Sequence, residues 1–361
     1  MKKIKFFVTP IYPYGNDHYY HEIIVLAEGF VDLGYEICGN VNYWQDYITK
    51  EYLIKKSSSD DFDIAIYDYR YVKSFDHLLF RKGYPNFNKS KKHILIDRND
   101  WINPIWKNNN HYKIFNFILG CHTVKGFSFP DNYMPWAMGL SNRIISSIDN
   151  TSTQSLESHI GHNFRVWHNL RKMFVDEIKK TNNYLPVSQL LSKIPDEKTN
   201  PEEFFYYQNT TRRHNNKYYE IINSSLLFMG FGGYIETLPK IYQPYDLIDK
   251  IKRKPYYLLS KINREKSSFV FQWDSFRMWE LFYANTCPVF LNFKNFNFIL
   301  PILPQENFHY LSIDSFSWTD FNNKLKKYNN KEISEIGLNG KNWVINNYSP
   351  VKTALRLISF L

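Results

Sequence analysis

The stretch FVFQWDSFRMWELFYANTCPVFLNF, residues 269–293, decides the fold of the second half of this chain. An apolar run ends at Gln272, a short polar turn follows, and residues Ser275–Asn285 have the apolar spacing of a helix. A second apolar run, Pro288–Leu291, comes directly after it. Strand, helix and strand in this order are typical of α/β folds, in which ligands bind at the carboxyl ends of parallel strands.

The start of this predicted helix carries residue types that bind phosphate. Unpaired N–H groups at a helix N-terminus favour an anion, and Arg277 adds fork-shaped donors for phosphate oxygens. Glu280 follows three residues later on the same face, where its carboxylate suits the hydroxyls of a ribose. A purely structural interpretation stays open at this point. Asp274 or Ser275 would then cap the helix, and Arg277 and Glu280 would form an ion pair.

The first half of the chain alternates short apolar runs with an amphipathic one. His21–Leu33 has the spacing of a helix and ends before Gly34. The predicted strands are Ile4–Thr9, Tyr35–Asn40, Phe62–Tyr67, His93–Asp97 and Ile114–Leu119. This alternation predicts a parallel sheet with helices on both faces. The first strand-to-helix turn lacks G-x-G-x-x-G, so no dinucleotide site is expected there.

The second half repeats the alternation after a polar stretch. LSNRIISSIDNTSTQSLES, between Gly139 and Ser158, is the best candidate for a linker. The elements predicted after it are helices His168–Lys179 and Tyr218–Ser224 and strands Leu226–Met229 and Ser268–Gln272. We therefore expect one α/β domain at residues 1–152, a second at 153–340 and a closing helix at 341–361.

Further arginines and a glycine loop are candidates for the same phosphate site. Arg165 and Arg171 flank the start of the second half, and Arg213 precedes another predicted helix. Because phosphate needs several donors, a cluster in one cleft is expected rather than any single contact. Gly232, within MGFGGY, allows a close backbone approach after a strand. Surface salt bridges and a plain turn are the structural alternatives.

The loop after the first strand, TPIYPYGNDHYYHE, supplies candidates for a catalytic base. Asp17, His18 and His21 can each accept the proton of a hydroxyl, and His18 is favoured because it lies in the loop itself. The structural alternative is a histidine that caps or packs the helix start. Asp97–Asp100 follows a predicted strand and is expected to line the same side of the cleft.

Composition narrows the cellular setting and the partners. The 361 residues carry a net charge of +10, but the lysines are dispersed and no nucleic-acid motif accompanies them, so nucleic acid is not expected as a partner. Weak attachment to an anionic membrane surface stays open. Cys38, Cys121 and Cys287 are predicted to be buried free thiols of a cytoplasmic protein. Asp61-Phe62-Asp63 precedes a strand, and no Cys/His spacing resembles a zinc site, so no metal is expected.

Two segments resemble glycosyltransferases of the two-domain GT-B type. Ser275, Arg277 and Glu280, followed by Pro288-Val289, resemble the donor-site segment of the exostosin-like group. The C-terminal stretch IGLNGKNWVINNYSPVKTALRLISFL is similar to the closing helices of GT-B enzymes. The residues at its motif positions are Gly337, Asn339, Gly340, Lys341, Tyr348 and Ser349. The chain departs from the commonest pattern at Gln272, where a second glutamate would stand.

The resemblance implies two Rossmann-like domains, with a last helix that crosses back to the first. It also implies transfer of a sugar from a nucleoside diphosphate sugar to a glycan or glycolipid, in polysaccharide or glycoconjugate synthesis, without a further cofactor. Alternative interpretations are an epimerase or phosphorylase of related fold, and an inactive relative that binds glycans or acts as a scaffold. Whether the sugar configuration is retained or inverted stays open.

Overall fold

A computed structural model describes most of the chain. The described residues are 2–9, 19–72, 90–98, 110–126, 129–151, 157–162, 168–178, 180, 184–186, 194–236 and 269–361. The fold is mixed α/β, with parallel sheets and flanking helices.

The first half contains helices and two sheets within the described ranges. Its elements are β1 (Lys3–Phe7), α1 (His21–Asp32), β2 (Glu36–Gly39), β3 (Tyr43–Gln45), β4 (Tyr52–Ile54), β5 (Ile64–Asp68), β6 (Lys92–Asp97), a 3₁₀ helix (Asn110–Ile114), β7 (Phe117–Gly120) and β8 (Tyr133–Pro135). Six of these strands form a parallel sheet in the order β2-β1-β5-β6-β7-β8, and β3 and β4 form a separate antiparallel pair.

Both faces of this first sheet are buried. Ile4 and Phe6 of β1 point into one apolar cluster together with α1, whereas Ala65 and Tyr67 of β5 belong to a cluster on the opposite face. Side chains of a strand alternate between the two faces of its sheet, so apolar residues at every position require cover on both sides. Burial on both faces of the sheet explains why the strands of the first half are continuous apolar runs in the sequence.

The second half begins with a helix and adds a second parallel sheet. Its elements are α2 (Asn142–Asp149), β9 (Glu157–His162), α3 (Asn169–Ile178), β10 (Tyr184–Pro186), α4 (Pro201–Asn209), α5 (Asn216–Ser224), β11 (Ser225–Met229), β12 (Tyr234–Glu236), β13 (Phe269–Phe271), α6 (Phe276–Tyr283), β14 (Cys287–Leu291), β15 (Leu311–Ile313), α7 (Trp318–Leu325), α8 (Asn330–Tyr348) and α9 (Pro350–Ile358). Five described strands pair in parallel in the order β10-β9-β11-β14-β15.

Two predicted features differ from this structure. The stretch between Gly139 and Ser158 is not a plain linker, because helix α2 occupies residues 142–149 and the Ser141 hydroxyl caps its first turn. Strand β13 does not join the parallel sheet. Within the described residues it pairs antiparallel with β12 in a two-stranded sheet, so helix α6 follows a strand of this separate sheet.

The last helix packs against the first one. Ala354 and Leu357 of α9 share an apolar cluster with Ile23 and Phe30 of α1. Gly29 of α1 allows this close approach, because a Cβ there would stand 2.0 Å from the carbonyl oxygen of Pro350. Helix α8 runs without interruption to Tyr348, so residue 341, the expected start of the closing helix, lies inside it.

The three cysteines are free thiols. Cys121 and Cys287 are buried and Cys38 is half-buried, and burial raises the pKa of each thiol above its ordinary value. Among the helices that the structure describes, none combines the length and the apolar character needed to span a membrane.

Candidate functional site

The carboxyl ends of β9 and β11 lie side by side, although the chain places β10 and three helices between them. On one side of this pair the next strand is β10, and on the other side it is β14. The chain therefore leaves the sheet in opposite directions from β9 and β11, and such a switch point opens a crevice for ligands. The glycine loop 230–233 follows β11 at this crevice.

Arg171 of helix α3 lies directly against this glycine loop. Its Nε donates to the carbonyl oxygen of Phe231 at 3.1 Å, and its Nη2 would stand 2.6 Å from a Cβ at Gly232. Gly233 adopts φ +123°, a conformation open to glycine, and turns the chain toward β12. The sequence predicted Arg171 and Gly232 for one site, and the structure brings them into contact.

Helix α6 begins without side-chain caps. Ser275 is its N-cap in extended conformation, yet its hydroxyl does not bond the helix N–H groups, and the Oγ atom is buried without a hydrogen-bond partner. Gln272, just before, has φ +54° and holds the turn in the left-handed region. A helix start with its own N–H groups unsatisfied by a cap is suited to an anionic ligand.

Asp274 joins the two halves of the molecule. One carboxylate oxygen accepts from the backbone N–H of Met138 at 3.0 Å, and the other accepts from Trp279 Nε1 at 2.9 Å. Its own N–H donates to His122 Nδ1 at 3.1 Å. Burial raises the pKa of Asp274, and His122 and these donors act against the shift. With both oxygens engaged, Asp274 fits a structural role better than contact with a ligand.

Glu280 is fully buried on helix α6. Its Oε1 accepts from the Tyr219 hydroxyl at 3.2 Å. Burial raises its pKa to about 7, and the lowering causes are Arg143, then Arg277, then the hydroxyls of Tyr219 and Tyr218. Arg277 is therefore only one of the cations that act on Glu280. Arg143, on helix α2, lowers the pKa of Glu280 more than Arg277 does.

Arg143 of helix α2 is the centre of a buried hydrogen-bond network. Its Nη1 donates to the Tyr219 hydroxyl at 2.7 Å and contacts His214 Nδ1 at 3.0 Å, and its Nη2 donates to the Tyr19 hydroxyl at 2.9 Å. Tyr19 precedes helix α1, whereas Tyr219 lies on α5. The guanidinium thus connects the first half of the chain with the helix that faces Glu280, a role that no sequence motif indicated.

Arg213 lies at the start of helix α6. Its side chain is exposed, and its guanidinium lies over the Phe276 ring at 5.3 Å. The preceding residues Thr211 and Arg212 have φ of 54° and 64°, so two consecutive residues of this loop adopt the left-handed region. For a β-branched threonine this conformation is strained, and such strain is concentrated at functional sites.

His21 is held in the network rather than presented to a ligand. Its Nδ1 contacts the Tyr19 hydroxyl at 2.6 Å and its Nε2 contacts the Gly139 carbonyl oxygen at 2.8 Å. Burial lowers its pKa to about 3. Both ring nitrogens are engaged, so His21 fits a structural role better than that of a general base. Asp17, His18 and Arg165 lie outside the described residues.

The carboxyl edge of the first sheet carries a second buried charge cluster. Arg98 Nε lies 3.3 Å from Glu22 Oε1 and 3.6 Å from Asp68 Oδ1. Both Glu22 oxygens and Asp68 Oδ1 are buried without hydrogen-bond partners. Burial raises the pKa of both carboxyls, and Arg98 opposes the shift. Glu22 also senses the charge of Asp274, so this cluster lies close to the turn before helix α6.

Metal-binding groups are not found in the described ranges. No three His, Cys, Asp or Glu side chains there are grouped closely enough to hold a metal ion. Asp61 and Asp63, the D-x-D pair, both bind Lys3: Asp61 accepts from its Nζ and Asp63 from its backbone N–H, each at 2.8 Å.

Neither a protein-family model nor a curated protein matches this chain. The side chains around helix α6 are therefore the basis for assigning a function.

Proposed function

We propose that this chain is a glycosyltransferase that moves a sugar from a nucleoside diphosphate sugar to a hydroxyl of a glycan or glycolipid. The observation that carries the proposal is the uncapped start of helix α6, with arginines around it and the buried Glu280 one turn inside.

The strand orders support a GT-B arrangement. In the first sheet β2 lies on one side of β1 and β5 lies on the other side. In the second sheet β10 lies on one side of β9 and β11 lies on the other side. This is the order of doubly wound sheets that bind nucleotides at the switch point. We propose two Rossmann-like domains, residues 1–152 and 153–340, with the closing segment 341–361 returning to the first through helix α9.

The donor would bind at the switch point of the second sheet. The N–H groups at the start of α6 and the guanidinium groups of Arg171, Arg213 and Arg277 suit the two phosphates. Arg171 also lowers the pKa of Tyr218, as Arg277 does, so both cations act on the surroundings of Glu280. Glu280 then accepts from the ribose hydroxyls. Arg165 belongs to the same proposed site from the sequence alone.

The transfer step needs a base and a stabilised leaving group. The oxygen of the acceptor hydroxyl bonds to the anomeric carbon of the donor, and the bond from that carbon to the diphosphate oxygen breaks. The diphosphate leaves with the electron pair, and cationic groups that stabilise its charge lower the barrier. If configuration is inverted, His18 or Asp17 takes the hydroxyl proton. Glu22 and Asp68 provide a further carboxylate pair on this side of the cleft.

The setting proposed for the reaction is the cytoplasm. The net charge of +10 leaves room for weak association with an anionic membrane surface, where a glycolipid acceptor would be available. No metal is included in the proposed mechanism.

Calorimetry with UDP, GDP, ADP and CDP tests the donor site. We expect one of them to bind, Arg277→Ala to lose phosphate contacts, and Glu280→Gln to lose ribose contacts, each with about tenfold weaker affinity. Lys352→Ala, on the exposed side of α9, is the control and should bind like the parent. No binding by the parent, or equal binding by all variants, would remove the proposal.

Hydrolysis of the matching nucleotide sugars tests the chemistry. Slow release of free sugar by the parent, abolished in Arg277→Ala, supports transfer. Nucleotide binding without hydrolysis or transfer to any glycan would favour the alternative of an inactive glycan-binding relative.

A further inference from the structure

We infer that Arg143 is a positioning residue for Glu280, which orients the Tyr219 hydroxyl toward the carboxylate and keeps that carboxylate in its ionised, hydrogen-bond-accepting form. The inference deepens the proposed function and rests on it, because it concerns how Glu280 is prepared to bind the ribose. Arg143 would never touch the nucleotide.

The polarity of the network follows from the guanidinium. An arginine only donates hydrogen bonds, so the Tyr219 oxygen must accept from Arg143 Nη1 at 2.7 Å. The single proton of the Tyr219 hydroxyl is then directed to Glu280 Oε1, 3.2 Å away. A tyrosine without this donor could instead accept a proton from a neutral Glu280. Arg143 therefore selects the arrangement in which Glu280 is the acceptor.

The same polarity extends to the first half of the chain. Tyr19 accepts from Arg143 Nη2, so its own proton is directed to His21 Nδ1, and the His21 Nε2 proton is donated to the Gly139 carbonyl. One cation thus fixes the direction of both tyrosine hydrogen bonds, that of Tyr19 toward His21 on helix α1 and that of Tyr219 toward Glu280 on helix α6. Because Arg143 is only 7% exposed, bulk water contributes little to this ordering.

The charge state of Glu280 matters because a ribose hydroxyl donates to it. The neutral acid loses an acceptor site and presents a proton instead. Burial raises the pKa of Glu280 to about 7, even with Arg143 as the largest opposing influence. The groups that face Glu280 are Arg143 from α2, Tyr218 and Tyr219 from α5 and Arg277 from its own helix. Removing the Arg143 charge raises the pKa further, so the neutral form becomes dominant near neutral pH.

The test is the pH dependence of nucleotide affinity, measured by calorimetry with UDP, GDP, ADP and CDP between pH 5.5 and 8.5. The parent should bind more weakly as pH falls through about 7, and Glu280→Gln should lack this transition. Arg143→Met should move the midpoint to higher pH, with affinity about tenfold weaker at pH 7 and close to the parent at pH 8.5. Arg143→Lys, which keeps the charge, should restore most of the parent midpoint.

The Glu280→Gln background provides the matched control. There only the titration of the diphosphate itself, which is common to every variant, remains, and Arg143→Met should not change this remaining pH dependence. An equal loss of affinity by Arg143→Met at all pH values, or the same shift in the Glu280→Gln background, would overturn the inference while leaving the donor site intact. If Arg143→Met does not fold, Arg143→Lys and Tyr219→Phe replace it, and Tyr219→Phe should also raise the midpoint.

If the parent binds no nucleotide, the proposed function is wrong. The effect of Arg143 on Glu280 is then measured by urea unfolding instead. The free energy of unfolding of the parent should decline between about pH 4.5 and 7 relative to that of Glu280→Gln. In Arg143→Met this decline should continue to higher pH. A decline that ends at the same pH in both proteins would contradict the role of Arg143.

Discussion

Arg171 and Gly232 are in contact across the switch point of the second sheet, and the absence of a side chain at residue 232 is what makes room for the guanidinium. We expect Gly232→Ala to displace Arg171 without unfolding the protein, because the Cβ meets only the flexible end of that side chain, 2.6 Å away. Nucleotide affinity should fall about tenfold, as for Arg171→Ala. In calorimetry the double variant should be no weaker than Arg171→Ala; additive losses would show that the two residues act independently.

The two histidines at the start of the chain should respond differently to substitution. His21→Ala removes a buried imidazole and its hydrogen bonds to the Tyr19 hydroxyl and the Gly139 carbonyl, and we expect it to lower the free energy of unfolding by about 3 kcal/mol with unchanged nucleotide affinity. His18→Ala, in the loop outside the described residues, should leave stability unchanged and lower turnover by about 10²–10⁴-fold if His18 is the base. Urea unfolding and turnover, measured on both proteins, separate these roles. Normal turnover in His18→Ala and Asp17→Ala would exclude this loop from the chemistry.

Asp274 should be a stability residue rather than a ligand contact. Asp274→Ala leaves the Met138 N–H and the Trp279 indole N–H without their acceptor, so we expect a loss of about 3 kcal/mol in the free energy of unfolding. Asp274→Asn keeps a single acceptor oxygen, so its free energy of unfolding should lie between those of the parent and Asp274→Ala. The exposed Asp131→Ala is the control, expected within about 0.5 kcal/mol of the parent. A stable Asp274→Ala protein that no longer binds nucleotide would reverse this assignment.

Glu28 should make stability depend on pH. Its Oε2 accepts from the Asn142 N–H at 2.8 Å, and burial raises its pKa to about 8, from an ordinary value of 4.5. The folded protein thus holds a proton that the unfolded chain has lost over this interval. The stabilisation that comes from this bound proton is complete below pH 4.5 and is lost as pH rises to 8. Over this interval the free energy of unfolding falls by up to about 1.4 kcal/mol per pH unit. The free energy of unfolding of Glu28→Gln should not show this fall with pH. If it falls with pH as steeply as that of the parent, Glu28 is ionised in the folded protein.

Long periodic segments were predictable from the sequence. Helix α1 was expected at His21–Leu33 and lies at His21–Asp32, and the strand expected at Leu226–Met229 lies at Ser225–Met229. Such segments carry their own signal, because a buried face repeats every two or about four residues. Arg171 lies against Gly232, and Arg213 lies over Phe276 at the start of α6; that these groups form one phosphate site stays a prediction.

Contacts between distant segments were not predictable. Arg143 lay in a stretch interpreted as a linker, although Ser141 followed by Ile144 and Ile148 has the spacing of a capped helix. Its partners Tyr19, His214 and Tyr219 come from three other parts of the chain, and a single sequence contains no signal for such a meeting. The antiparallel pairing of β13 was missed for the same reason: its partner strand is separated from it by residues 237–268.

The packing of α9 on α1 has a consequence for biosynthesis. Helix α1 leaves the ribosome before either sheet has been made in full, whereas α9, which covers its apolar surface, follows both sheets in the chain. Domains generally fold in the order in which they are synthesised, but here the apolar surface of α1 stays uncovered until residues 350–358 have been translated. Helix α1 exposes this apolar surface during that time, and a truncation before Pro350 would leave the same surface uncovered after synthesis.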